Sequence, residues 1–219
     1  MVKIVRSTPA PASLAQEAKK ANGEYNKPDV AKRLRDDFFD KCYICELKGL
    51  QDPQVEHRLP HKNGQYPERK FDWNNLFWSC ARCNSIKNKQ KYDPGIIDCC
   101  VKDPERFISI RVAEDIVEAK SIDASDNESV LTAELINEVF SFNNTGLREA
   151  SLDVRLKSLH REMDKLYRQL SIYKNGQRTE LSKNRIRVLL KRETAFAGFK
   201  RDYVRRHLSD YPDLSIYLD

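Results

Sequence analysis

The sequence predicts an α+β chain: a small module pinned by two cysteine knuckles, an N-terminal helical arm before it, and a mainly α-helical region after it ending in a helical hairpin. Three observations predict this. Cys42/Cys45 and Cys80/Cys83 form two C-x-x-C pairs that bracket a turn-rich insert. "RFISIRV" (106–112) alternates in the manner of a short strand. Leu152, Leu156, Leu159, Met163, Leu166 and Leu170 then step by four and three residues, a heptad seam on a long helix.

In order, residues 1–37 read as an arm followed by a short helix. "PDVAKRLRDDFF" places Pro28 at a first helical position and repeats Val30, Leu34 and Phe38 every four residues. Residues 38–98 hold most of the turn signals and are expected to form the cysteine-pinned module. Residues 99–219 are expected to be mostly helical. "DASDNES" (123–129) reads as a loop, and 130–142 as a helix ended by "NNTG" (143–146). After the seam, Asn175–Gly176 breaks the chain, and a second helix is expected over about 179–208, presenting Leu189, Phe196, Phe199 and Tyr203 along one side.

Composition narrows the function classes. The 219 residues are 40% hydrophobic, with a mean hydropathy of −0.70. No run approaches the roughly 18 apolar residues that a membrane span needs. The opening "MVKIVRSTPAPASLAQEAKK" shows no continuous apolar stretch, so no secretory leader and no membrane partner are expected, and a cytoplasmic location is the default. Of 39 Lys/Arg and 33 Asp/Glu, 17 and 10 fall between Leu147 and Asp219, leaving 22 and 23 for the rest. The basic C-terminal third fits either a polyanionic or protein partner, or a solvated charged helix face.

The two cysteine knuckles are separated by 34 residues. Two residues between cysteines let both sulfurs converge on one ion, and two such knuckles supply the closed tetrathiolate that structural Zn²⁺ favours. The alternatives are buried free thiols or a redox pair, and redox motifs do not usually come as two matched pairs. Cys99 and Cys100 are adjacent, a poor geometry for one tetrahedral ion, and are read as packing thiols.

Between the knuckles lies "VEHRLPHKNG" (55–64). Its Glu56, His57 and His61 are open to three readings: metal ligands, a proton-transfer pair, or turn residues. "DWNNLFW" (72–78) follows, and the second knuckle runs straight into "CNSIKN". This order of motifs, over roughly residues 38–95, resembles the HNH nucleases. The resemblance implies a zinc-stapled ββα-metal (HNH) module: two strands carrying an acid-His pair, an asparagine tying the loop, and a helix starting at the second knuckle. It maps Glu56 and His57 onto the acid-His pair, Asn75 (with Asn74 as neighbour) onto the loop tie, and Asn84 and Lys87 onto the helix. Two positions depart from the pattern: His61 where a basic residue is expected, and Asn88 where glycine is common.

The implied chemistry is phosphodiester hydrolysis. Glu56 and Asn84 are hard oxygen ligands suited to a catalytic Mg²⁺ or Mn²⁺, and one carboxylate is too few for two ions. The base must then be a side chain, and His57 is expected to fill that role with a pKa near operating pH. His61 could touch the ion or a phosphate, or be an exposed loop histidine. Lys87 is expected at a substrate phosphate or as an exposed helix lysine; Arg82, Lys89 and Lys91 extend a basic edge suited to backbone contacts. Trp73 and Trp78 are read as core.

"QYPERKFDWNNLFWSCARCNSIKNKQ", "DPGIIDCCVKDPERFISI" and "LINEVFSFNNTGLREASLDVRLKSL" follow one another in an order similar to the PtuB family, the HNH subunits of Septu and retron-linked anti-phage defence systems. That resemblance implies a nucleic-acid substrate, DNA by default or RNA such as tRNA. It also implies a partner ATPase of the ABC/SMC-like (PtuA) type, and in retron systems a reverse transcriptase with its nucleic acid. A different class stays open beside it, a zinc-stapled nucleic-acid-binding module without catalysis.

Overall fold

The acid-His strand and the strand entering the second knuckle form one antiparallel hairpin. In the computed structural model, which describes residues 1–114, 116–141, 146–176 and 178–218, strand β1 (Pro53–His57) pairs with β2 (Leu76–Cys80), with His57 opposite Leu76 and Pro53 opposite Cys80. Pro53, which lacks a donor, stands at the first strand position. Every residue of β2 is buried, and the chain passes from Cys80 directly into helix α4 (Ala81–Lys87). Among the remaining elements α1 is Ala12–Glu17, α2 Pro28–Asp37 and α3 Pro67–Lys70.

Leu34 and Phe38 bring α2 against this hairpin, with Phe38 at 5.6 Å from the Phe77 ring. Trp73 and Trp78 are both in the core, as expected for residues under a hairpin. The arm is packed rather than loose: Val2 and Ile4 are buried, and Ile4 N donates to Cys99 O at 2.9 Å.

The single strand expected at 106–112 is instead one half of a second hairpin. β3 (Ile108–Ala113) pairs with β4 (Ile116–Ser121), Ile110 opposite Ala119. The expected helix begins earlier and ends earlier, as α5 (Asn127–Val139), because the Asp126 side chain accepts from Glu128 N and starts it inside the stretch read as a loop. Residues 142–145, which hold most of the expected "NNTG" stop, lie outside the described residues.

The heptad seam is buried along α6 (Gly146–Lys174). The partner helix differs from expectation: it is two helices, α7 (Glu180–Leu189) and α8 (Ala197–Arg206). The physical reason is a buried lysine from the first knuckle. Lys41 Nζ donates to Arg192 O at 2.5 Å and Thr194 O at 3.1 Å, capturing carbonyls that a continuous helix would have used itself. Phe196 then takes a left-handed conformation before α8 begins. No helix among the described residues is long and apolar enough to cross a membrane.

Candidate functional site

Two groups of side chains gather around the first hairpin. The sulfurs of Cys42, Cys45, Cys80 and Cys83 are all buried and lie within 4.8 Å of one another. Cys45 Sγ and Cys80 Sγ are 3.9 Å apart, close to the roughly 3.8 Å that a tetrahedron of ~2.3 Å Zn–S bonds requires. Four soft donors at that spacing fit a structural zinc ion and leave no position open for chemistry. The first knuckle turns through Glu46, at positive φ, and Cys42 N donates to Leu47 O at 3.0 Å. Cys99 is buried and Cys100 half-buried, and neither joins this cluster among the described residues.

The cluster has a cation that sequence reasoning missed. Arg155, from the seam of α6, is 2% exposed and donates from Nη2 to Cys80 Sγ at 3.3 Å. Burial alone would lower its pKa, but the thiolates of Cys45, Cys83 and Cys80 raise it overall. A lone arginine beside leucines carries no motif that would have announced it.

The second group surrounds an open pocket of about 330 Å³ whose lining includes Glu56, His57, His61, Asn84, Asn88 and Tyr25. Four of the residues named from sequence therefore face one space: Glu56, His57, His61 and Asn84. Asn75 holds the loop behind them. It is 5% exposed, accepts from Leu59 N at 2.8 Å, and donates to Leu59 O at 2.8 Å and Arg69 O at 3.1 Å. Asn74 is exposed on the neighbouring turn, so Asn75 is the one that closes the loop following β1.

His57 Nε2 lies 3.0 Å from Lys70 O. A carbonyl only accepts, so Nε2 carries the proton in the neutral ring and the lone pair sits on Nδ1. The pKa differs from the near-neutral value expected from sequence. Burial lowers it from 6.5 to about 4 against the opposing hydrogen bond to the Lys70 carbonyl, and the charges of His61, Lys87 and Lys70 push the same way as burial. The ring is accordingly neutral at physiological pH. His61 stacks edge-on at 4.8 Å from it, and Tyr25, from the arm, packs edge-on at 4.4 Å. Burial lowers the His61 pKa as well.

Glu56 is 3% exposed. The Tyr43 hydroxyl donates to its Oε2 at 2.5 Å, and Lys87 Nζ stands 2.6 Å from its Oε1. Lys87, expected at a substrate phosphate or as an exposed helix lysine, is 3% exposed and also donates to His57 O at 3.0 Å. In the basic edge, Arg82 donates to Val139 O at 3.1 Å, Lys89 forms an ion pair with Glu138, and Lys91 lies 3.3 Å from that carboxylate. Helix α5 runs alongside α4 and places these acids and carbonyls beside the cations, while Lys89 and Lys91 themselves stay exposed.

As to fit, the pocket offers one carboxylate, Glu56, the imidazoles of His57 and His61, and the amides of Asn63, Asn84 and Asn88, donors of hard or borderline character. That set suits a single Mg²⁺ or Mn²⁺ completed by water and substrate oxygens, with Lys87 already at the carboxylate.

No protein-family model matches the chain. It is similar to Septu protein PtuB of Bacillus thuringiensis, 33% identical over 105 residues, which is 45% of this chain and 40% of that protein. It is also similar to UvrABC system protein A of Rhizobium meliloti, 28% identical over 156 residues, 70% of this chain and 14% of that protein. In both cases the match spans less than half of the relative's own length.

Proposed function

We propose that the chain is the nuclease subunit of an anti-phage defence complex, an HNH-type metal-dependent endonuclease acting on nucleic acid, with DNA the favoured substrate and an ABC/SMC-like ATPase as partner. The similarity to Septu protein PtuB supports a Septu-like defence nuclease. The observation that carries the chemical part is His57: a neutral ring fixed through Nε2 to a carbonyl, in one pocket with Glu56 and Asn84.

In this reading Nδ1 of His57 takes a proton from water as the oxygen attacks phosphorus, and the Lys70 carbonyl holds the resulting imidazolium in place. Asn75 keeps the loop from Leu59 to Arg69 closed, so that Lys70 and His57 keep their relation. Tyr25 and His61 limit the water around the ring. A divalent cation bound at Glu56 and Asn84, with His61 beside it, would supply charge to the scissile phosphate and the leaving oxygen. The zinc tetrathiolate anchors the scaffold only. The mostly helical region 99–219, whose basic part is Leu147–Asp219, serves in docking the partner or the nucleic acid.

The ion pair between Lys87 and Glu56 is the one observation that favours a second reading, a zinc-stapled binder in which Glu56 is structural. Incubation of the chain and its partner ATPase with duplex DNA or total RNA, in Mg²⁺ or Mn²⁺, separates the two. Cleavage that disappears in His57→Ala supports the nuclease; binding without cleavage in either metal refutes it.

A further inference from the structure

We infer that Lys87 is an internal competitor of the divalent cation at Glu56, setting the metal affinity of the pocket from inside the protein; the inference rests on the proposed metal-dependent reading and says how its metal site is regulated.

The argument begins with burial. An ammonium and a carboxylate that are each 3% exposed cannot be neutralised by solvent and must neutralise one another. At 2.6 Å from Oε1, Lys87 Nζ stands where a cation ligated by that oxygen would stand. The other oxygen receives the Tyr43 hydroxyl at 2.5 Å, so each oxygen already has one partner and keeps one further lone pair. A divalent ion that uses Glu56 therefore meets the Lys87 charge at the same carboxylate and is opposed by it.

Lys87 is built to be displaced. It already has a second acceptor, His57 O at 3.0 Å, so an ammonium that leaves Glu56 is not left without a partner. Its four-carbon stem can swing while its backbone stays in α4, and Asn84, one helical turn earlier, lines the same pocket. Tyr43, by contrast, sits between the cysteines of the first knuckle, its ring 4.8 Å from Phe77, and has far less freedom. The group that yields is the lysine. The released charge stays beside His57, next to the space where a phosphodiester would lie.

This role differs from that of a purely structural ion pair in the sign of its effect. Removing a structural partner loosens the pocket and weakens metal binding. Removing a competitor tightens it.

The test is Mn²⁺ binding to the whole zinc-loaded chain, read from the free-Mn²⁺ electron paramagnetic resonance signal, with thermal melting in the presence and absence of Mn²⁺. Lys87→Met and Lys87→Gln are compared with the unaltered chain, each with and without Glu56→Gln. Both neutral substitutions are expected to tighten Mn²⁺ binding roughly 10–100-fold, the scale on which groups contacting a metal's ligands change its affinity. Both should raise the melting temperature gained on adding Mn²⁺, and Glu56→Gln should abolish the gain. If Lys87→Met folds only with Mn²⁺ present, that rescue supports the inference too, and Lys87→Gln, which can still donate to His57 O, gives the binding constant. Unchanged or weaker binding in both variants, with binding still dependent on Glu56, overturns the competitor role and leaves the nuclease reading standing. Binding that ignores Glu56 in every variant overturns both.

Discussion

Arg155 places its guanidinium 3.3 Å from Cys80 Sγ, across 75 residues of sequence and from the middle of the longest helix. Four thiolates around one Zn²⁺ carry a net charge of −2, and Arg155 offsets half of it from a site closed to water. The zinc knuckles and α6 are thereby tied electrostatically as well as by packing. Arg155→Met should release zinc to a competing chelator about 10–100-fold more readily, with Arg155→Lys between the two. Zinc release followed with a colorimetric chelator checks this; equal release from all three would refute the charge role.

Asn75 closes the loop after β1 with three hydrogen bonds, two to Leu59 and one to Arg69. Asn75→Ala leaves these buried backbone groups unpaired, at a cost of about 1–3 kcal/mol each before relaxation. The expected result is a chain destabilised by roughly 2–4 kcal/mol in urea, with its zinc retained. Asn75→Asp tests the donors separately, because it keeps the acceptor for Leu59 N and loses both donations. Its second carboxylate oxygen would face the carbonyls of Leu59 and Arg69, so it should be at least as destabilised as Asn75→Ala.

The parts of the molecule that were legible in the sequence are those written in local signals. Two C-x-x-C pairs announced a four-sulfur cluster, Pro28 with Val30 and Leu34 announced α2, and the heptad announced α6. The parts that were not legible depend on partners far along the chain. Nothing between Leu190 and Phe196 contains Gly or Pro, so the break between α7 and α8 has no local sign; it is made by Lys41, about 150 residues away. β4 was missed because only Val117 and Ala119 point inward, too few apolar residues to read as a strand. At the site, "VEHRLPHKNG" holds three residues that line one pocket, Glu56, His57 and His61, but the burial of Lys87 against Glu56 joins positions 31 apart, and Tyr25 comes from an arm that carries no motif.

His57 is the residue on which the proposed chemistry stands. A positioned general base contributes roughly 10²–10⁴-fold to a rate, and His57→Ala should lose cleavage by about that factor. Zinc content should be unchanged, because the ring does not touch the knuckles. Undiminished Mn²⁺-supported cleavage would move the base elsewhere. His61→Ala is the contrast: its ring is 4.8 Å from that of His57, and among the described residues its buried Nδ1 has no hydrogen-bond partner. A loss well short of that of His57→Ala is expected.

The buried, neutral state of His57 also has a thermodynamic signature. Its pKa falls from 6.5 to about 4 because of burial, so between those values the unfolded chain binds a proton that the native chain refuses. By linkage, stability rises with pH across this window and is lost as pH falls through it. From pH 7.5 to pH 5 the ring should account for about 2 kcal/mol of lost stability. Protonation of zinc thiolates in acid would act on every variant alike, so the informative quantity is a difference. Urea midpoints of the zinc-loaded chain, without added Mg²⁺ or Mn²⁺, should fall more steeply with acid than those of His57→Gln. His61 is lowered in the same direction, and His57→Gln/His61→Gln should flatten the profile further. Parallel profiles for the unaltered chain and His57→Gln would mean that the ring takes its proton in the native state as readily as in the unfolded chain, and the lowered pKa would then no longer hold.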